Sequence, residues 1–175
     1  MSESNLYSDE YWMQLAIAQA ASAAKQGEIP VGAIIVSQNQ LIGSGFNAPI
    51  GLNDPTAHAE IQAIRQACEH IKNYRLPDDA VLYVTLEPCT MCVGALVHSR
   101  VQRVVYGATE PKAGSLVSAR QLLETGYYNH IFSFEQSALH TACSAQLSQF
   151  FKMRREQKKQ ARLQQKNQNS SLTTK

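Results

Sequence analysis

Two short stretches constrain this chain more than any others: Pro88-Cys89-Thr90-Met91-Cys92 and, upstream, His58-Ala59-Glu60. A C-x-x-C pair presents two sulfurs to one point in space, and His58 adds an imidazole, a third donor that zinc accepts. If the three act together, the fold must bring position 58 against positions 89 and 92. Three protein ligands with a fourth position open make a catalytic zinc, whereas a structural zinc is closed by four. Other possibilities remain at this point. Cys68, His70 or Cys143 could complete a structural site, and C-x-x-C alone also serves redox chemistry. Glu60 favours the catalytic arrangement, because a carboxylate that need not bind metal is available as a base. Two thiolates and a neutral imidazole cancel the charge of Zn²⁺. Such a zinc acidifies bound water less than a three-histidine zinc would, so a general base at Glu60 is chemically useful. In a closed pocket that carboxyl should titrate above its ordinary value.

The 175 residues, 44 % of them hydrophobic, suit one globular domain with an ordinary core. No apolar run approaches the roughly 20 residues of a membrane span. The start, Met1-Ser2-Glu3-Ser4, lacks a basic region followed by an apolar one, so no secretory signal is expected. Four cysteines, two of them in a metal motif, do not read as a disulfide framework and fit a reducing cytoplasm. The formal net charge of +2 hides an asymmetry. Lys152, Arg154, Arg155, Lys158, Lys159, Arg162 and Lys166 stand against Glu156 alone, while the rest of the chain is mildly acidic. A basic block on an acidic body suggests a polyanionic partner, and a solvated helix end is the plainer alternative.

Ser8 can cap a first helix with Asp9 and Glu10 in its first turn, and Gly27 can stop it. The stripe Trp12, Leu15, Ala16, Gln19 and Ala23 points to core packing. Val31 to Val36 is a continuous β-branched apolar run and reads as a buried strand. Residues 37–40 make a polar turn, and Leu41 to Phe46 returns as a second strand. Asn47 to Gly51 reads as a loop. Asp54-Pro55-Thr56 predicts the start of a helix, with His58 and Glu60 in its first turn and His58, Ile61, Ile64, Cys68 and Ile71 on one stripe, which places Cys68 in the core. Ala80 to Leu86 is a third strand running straight into Glu87-Pro88-Cys89, where the next helix begins. A helix N-terminus lowers thiol pKa, which favours thiolate ligands. Arg103 to Gly107 is a fourth strand, parallel to the third. A short helix over 119–124, a fifth strand over 131–134 and a long helix from Ser137 to about Arg162 follow. The polar stretch 164–175 is expected to be disordered, leaving 1–163 as the folded unit.

With these motifs in place the chain resembles the bacterial tRNA-specific adenosine deaminases, from about Ser8 to about Gln160. H-x-E…P-C-x-x-C marks the wider cytidine-deaminase-like superfamily. The narrower resemblance rests on Pro30-Val31-Gly32-Ala33, Asn47-Ala48-Pro49-Ile50-Gly51, Asp54-Pro55-Thr56-Ala57-His58-Ala59-Glu60 and Tyr83-Val84-Thr85-Leu86-Glu87-Pro88-Cys89-Thr90-Met91-Cys92. His98-Ser99-Arg100, Pro111-Lys112-Ala113-Gly114, Asn129-His130 and Phe150-Phe151 add to it. The resemblance implies a three-layer α/β/α fold on a five-stranded mixed sheet, a homodimer, one zinc per subunit, and conversion of adenosine to inosine at the wobble position of a tRNA anticodon stem-loop. It implies that His58, Cys89 and Cys92 hold zinc, that Glu60 shuttles protons, and that Asn47 hydrogen-bonds the flipped purine with the Ala59 backbone nearby. Glu110 departs from the Asp of many relatives, and Gly114-Ser115-Leu116-Val117 lacks their run of small residues. Three other functions compete: a deaminase of free bases, nucleosides or mononucleotides, which has no need of the basic tail; a silent zinc protein that only binds RNA, which has no need of Glu60; and a structural zinc domain, which requires a fourth protein ligand.

Overall fold

The computed structural model describes residues 7–172, with side chains through position 165. Five strands form one sheet in the order β2-β1-β3-β4-β5. The strands are β1 (Gly32–Ser37), β2 (Gln40–Phe46), β3 (Val81–Leu86), β4 (Arg103–Ala108) and β5 (Ser133–Gln136). β1 runs antiparallel to both β2 and β3, whereas β3, β4 and β5 are mutually parallel neighbours. The sheet is therefore mixed, as expected.

Both faces of the sheet are covered, which is why β1 reads as an unbroken apolar run. Alternate residues sort cleanly between two cores. Ala33, Ile35, Leu82, Val84, Val104 and Tyr106 face α3 (Ala59–Ile71) and α4 (Thr90–Ser99). Ile34, Val36, Tyr83 and Val105 face Trp12, Met13 and Ala16 of α1 (Asp9–Lys25) and Cys143 of α5 (His140–Leu172). The Ser8 hydroxyl accepts from the Tyr11 N–H at 3.3 Å and caps α1.

Helix α3 sits unusually close to β2. A Cβ on Gly43 would lie 2.5 Å from the Ala63 carbonyl oxygen, and one on Gly45 would lie 2.5 Å from that of Ala59. The contact face is thus alanine on glycine: Ala59, Ala63 and Ala67 are fully buried. Ile64, Cys68 and Ile71 lie partly buried at the margin of this core. The predicted isoleucine stripe is real, but the sheet is met by the smaller alanine face beside it.

The strand ends that matter gather at one edge. Gly32 pairs with Phe46, and Leu86 with Ala108. The starts of β1, α3 and α4 and the ends of β2, β3 and β4 therefore converge, the usual place for a site in such sheets.

Several boundaries differ from expectation. Helix α3 opens at Ala59, not at Pro55. Asp54 instead folds the preceding residues into a turn, accepting from the Thr56 N–H at 2.8 Å and the Thr56 hydroxyl at 2.7 Å. A four-residue helix α2 (Pro49–Leu52) occupies the expected loop. The short helix is a single 3₁₀ turn at Leu122–Thr125, and β5 lies two residues late. Helix α5 continues to Leu172, so the stretch read as a disordered tail is helical over 164–172; residues 173–175 lie outside the described residues. Glutamine and lysine propagate a helix well, so a polar composition by itself does not end one.

Candidate active site

His58 and Cys89 are the N-cap residues of α3 and α4, both in extended conformation, so two helix N-termini point at one spot. Their first-turn N–H groups, which have no carbonyl partner within the helix, and their positive ends favour thiolates and a carboxylate there. The His58 Nδ1 lies 3.7 Å from Cys89 Sγ and 3.6 Å from Cys92 Sγ. Tetrahedral zinc with ordinary Zn–N and Zn–S bonds separates such atoms by about 3.6 Å, so the set fits zinc without rearrangement. Among the described residues this trio is the only group of three or more His, Cys, Asp or Glu side chains able to hold a metal. Cys68 gives its thiol to the Tyr74 carbonyl at 3.6 Å, and Cys143 is buried in the opposite core. Neither completes a fourth ligand.

Charge is arranged around this trio. A hydrogen bond from Cys92 and a second from His58 pull the Cys89 thiol down to about 4 against the effect of burial. Cys92, the donor of that bond and itself buried, is pushed up. The hydrogen bond with Cys89 raises His58 against its burial. Glu60 is 4 % exposed, and burial pushes its carboxyl up to about 7.

These groups open into a cavity of about 450 Å³, within the range of small-ligand pockets. Asn47, His58, Glu60, Glu87 and Cys89 form its polar floor, and Ile29, Val31, Leu86, Leu147 and Phe151 its apolar wall. A larger cleft of about 510 Å³ lies over β2 and α3 but contains none of the trio. Asn47 is 8 % exposed, and its Oδ1 accepts from the Ala59 N–H at 3.0 Å. That bond orients the side chain and takes up Oδ1, so that Nδ2 is the end of the amide with protons to offer. Ala59 itself is fully buried and reaches the pocket only through Asn47.

Sequence reasoning missed two contributors. Ser144, Leu147 and Ser148 of α5 line the same cavity as His58 and Cys89. No local signal announces them, because an exposed helical face looks the same whether it meets solvent or a pocket. Glu87 was visible beside Cys89 but had no assigned role. It is 2 % exposed. Burial raises its carboxyl, and hydrogen bonds from Ser118, Val117 and Glu110 more than offset this and hold it below the ordinary range.

Residues 6–108 match the cytidine and deoxycytidylate deaminase zinc-binding region. The tRNA-specific adenosine deaminase of Haemophilus influenzae is 47 % identical over 152 residues, covering 86 % of this chain and 87 % of that protein. The Bacillus subtilis protein of the same name is 41 % identical, covering 88 % and 95 %. A solved structure from a study of A-to-I editing by tRNA:A34 deaminases at the wobble position superposes with a TM-score of 0.76 at 39 % identity, covering 78 % of this chain and 99 % of that one. A Bacillus subtilis guanine deaminase structure gives a TM-score of 0.57 at 32 % identity, covering 85 % and 95 %. At these identities and coverages, and with more than half its length matching the zinc-binding region, the chain belongs to the tRNA-specific adenosine deaminases, within the zinc-binding cytidine and deoxycytidylate deaminase family.

Proposed function

We propose that this chain hydrolyses adenosine to inosine at the wobble position of a tRNA anticodon, releasing ammonia, with Glu60 as the proton carrier. The observation that carries the proposal is the buried Glu60 carboxyl beside a three-ligand set that opens into a cavity. Zinc held by His58, Cys89 and Cys92 supplies a Lewis acid that makes the attacking water more acidic. Glu60 accepts a proton from that water as it adds to C6 of the purine and delivers it to the ring nitrogen. It then carries the second proton to the amine, the C6–N bond breaks, and ammonia leaves. A carboxyl titrating near 7 suits a group that must take and return protons near neutral pH. Asn47 presents its amide to the flipped base, and the Ala59 main chain holds Asn47 in place.

A guanine deaminase shares the fold, so free-base deamination is the competing function. The flank of the pocket speaks against it. A second cleft sharing Ile29 and Phe151 with the active-site cavity is lined by Arg154, Arg155 and Lys158 of α5. A small free base has no phosphate for those cations, whereas an anticodon loop has several and already presents unpaired bases. In this reading the working form is a cytoplasmic homodimer, with 1–163 as the catalytic unit. Among the described residues no helix is long and apolar enough to cross a membrane.

The test is ammonia release by zinc-loaded protein from an anticodon stem-loop bearing a wobble adenosine, compared with free adenosine and free guanine, with light scattering for the assembly. The stem-loop should be turned over fastest. Faster turnover of guanine or free adenosine would replace this function with free-substrate deamination. Glu60→Ala should keep about one zinc per chain and lose at least ~10²-fold in rate; loss of the metal would make Glu60 a ligand.

A further inference from the structure

Glu87 is a buried carboxylate, and among the described residues it forms no salt bridge. Its Oε1 accepts from three consecutive backbone N–H groups, Leu116 at 3.1 Å, Val117 at 2.8 Å and Ser118 at 3.0 Å. Its Oε2 accepts from the Glu110 N–H at 3.0 Å and from the Ser118 hydroxyl. Five donors from one loop thus converge on one side chain. Successive backbone N–H groups curled this way form an anion nest, and here the anion is the chain's own.

The loop so gathered, residues 109–118, is a wall of the active-site cavity through Thr109, Glu110 and Ala113. It is also tied directly to the zinc-ligand turn. Gly114 bridges Cys89, the Ser115 N–H donates to the Pro88 carbonyl at 2.9 Å, and the Thr90 and Ser115 hydroxyls lie 3.0 Å apart. Gly114 packs on the carboxylate itself: a Cβ there would lie 2.3 Å from Glu87 Oε2 and 2.6 Å from the Glu110 carbonyl oxygen.

We propose that Glu87 is a positioning residue, which sets the loop 109–118 against the zinc-ligand turn so that the target nucleotide is held in register with Glu60. The proposal rests on the reading of the pocket given under the proposed function. The loop forms the wall beside the reacting centre, whereas the cations of α5 lie in the neighbouring cleft. Disturbing Glu87 should therefore lower the rate of the bound complex more than its affinity. A neutral amide in its place would turn an NH₂ toward N–H donors and leave several of them unpaired in a buried site.

The experiment compares zinc-loaded parent, Glu87→Gln and Gly114→Ala on a wobble-adenosine stem-loop. The measurements are the single-turnover rate at saturating RNA per bound zinc, the Kd of the stem-loop, and the thermal midpoint. The rate should fall ~10²-fold in both variants, the cost of a misplacement of about 1 Å, while Kd stays close to the parent's. A purely structural Glu87 would lower the midpoint and leave the rate per zinc unchanged well below it; that result overturns the proposal. Should Glu87→Gln fail to fold or to hold zinc, Gly114→Ala decides by the same criterion. Glu60→Ala, run alongside, separates the two ideas. If it stays active the pocket reading fails, and if it is inactive while both loop variants match the parent, only the positioning role fails.

Discussion

The Asn47 carboxamide oxygen accepts the Ala59 N–H at 3.0 Å, so the segment leaving β2 and the first turn of α3 are joined beside the zinc ligands. The bond is buried, and it leaves Nδ2 as the end of the Asn47 amide with protons to offer. Asn47→Asp keeps the acceptor for Ala59 but loses the donor. Zinc content and thermal midpoint should stay near the parent's, while kcat/KM on the stem-loop falls by ~10²-fold, the scale of a lost hydrogen bond plus an unpaired buried group. An Asp variant with parental kcat/KM would remove Asn47 from substrate recognition.

The glycine–alanine contact between β2 and α3 gives a prediction with an internal control. Gly43→Ala and Gly45→Ala each push a Cβ to 2.5 Å of a helix carbonyl oxygen. Each should destabilise the protein by ~1–3 kcal/mol in denaturant unfolding. Gly45 presses on Ala59, next to His58 and Glu60, whereas Gly43 presses on Ala63, one turn further along. Only Gly45→Ala should also slow deamination per bound zinc. Equal activity in the two variants would mean that α3 moves as a rigid rod away from the sheet.

Metal removal should cost stability as well as activity, because the trio clips the starts of α3 and α4 together. At free zinc a thousandfold above its Kd, binding contributes ~4 kcal/mol to the folded state. Cys89→Ala should lose zinc, unfold at lower temperature, and show no further drop with a chelator. A chelator-sensitive midpoint in that variant would indicate a metal held elsewhere.

At the far end of β4, Asp9 accepts from Arg103 at 3.1 Å and from the Tyr83 hydroxyl at 2.6 Å. The hydrogen bond with Arg103 holds the Asp9 carboxyl below its ordinary value, with burial opposing. A lowered folded-state pKa stabilises at pH above the unfolded value and is lost as pH falls through the folded one. Arg103→Gln should therefore be less stable than the parent at neutral pH, with the difference shrinking below about pH 4. The pair is partly exposed, so the gap should be small and reduced by salt. A gap unchanged from pH 7 to pH 3 would exclude this linkage.

How much of this was legible in the sequence follows from how local each signal is. The grouping of His58, Cys89 and Cys92 was legible because zinc chemistry needs those residue types, and the strand–helix pattern brings them to one edge, with Glu60 on the same cavity. Strands β1 and β3 were legible from β-branched runs. The start of α3 was misplaced because the Asp54–Thr56 hydrogen bonds make a turn from residues that also suit a helix start. Glu87 carried no signal because four of its five partners are backbone N–H groups, 23 to 31 residues away, which any sequence supplies. The α5 residues at the cavity were hidden for the same reason: only the tertiary fold brings that helix to it.

The basic face of α5 gives the last prediction. Arg155, Lys158, Lys159 and Arg162 follow helical spacing, and the first two line the cleft that adjoins the active-site cavity. Phosphate contacts give affinity and register with little sequence information, so this helix should hold the anticodon stem-loop while the cavity selects the base. Each contact to single-stranded RNA steepens the dependence of log K on log salt by about 0.7. Replacing all four residues with Gln keeps helix propensity. It should weaken stem-loop binding at low salt and flatten the slope by up to about 3 if every one meets a phosphate. If only Arg155 and Lys158 reach the RNA, the pair replaced alone should reproduce the whole effect, with a slope change nearer 1.4. Zinc content should be unaffected, since the trio lies on α3 and α4. The saturating rate should also hold, because these cations do not line the catalytic cavity. Unchanged affinity and salt slope in the fourfold variant would make the helix a solvated end, and the RNA grip would have to be sought on another face.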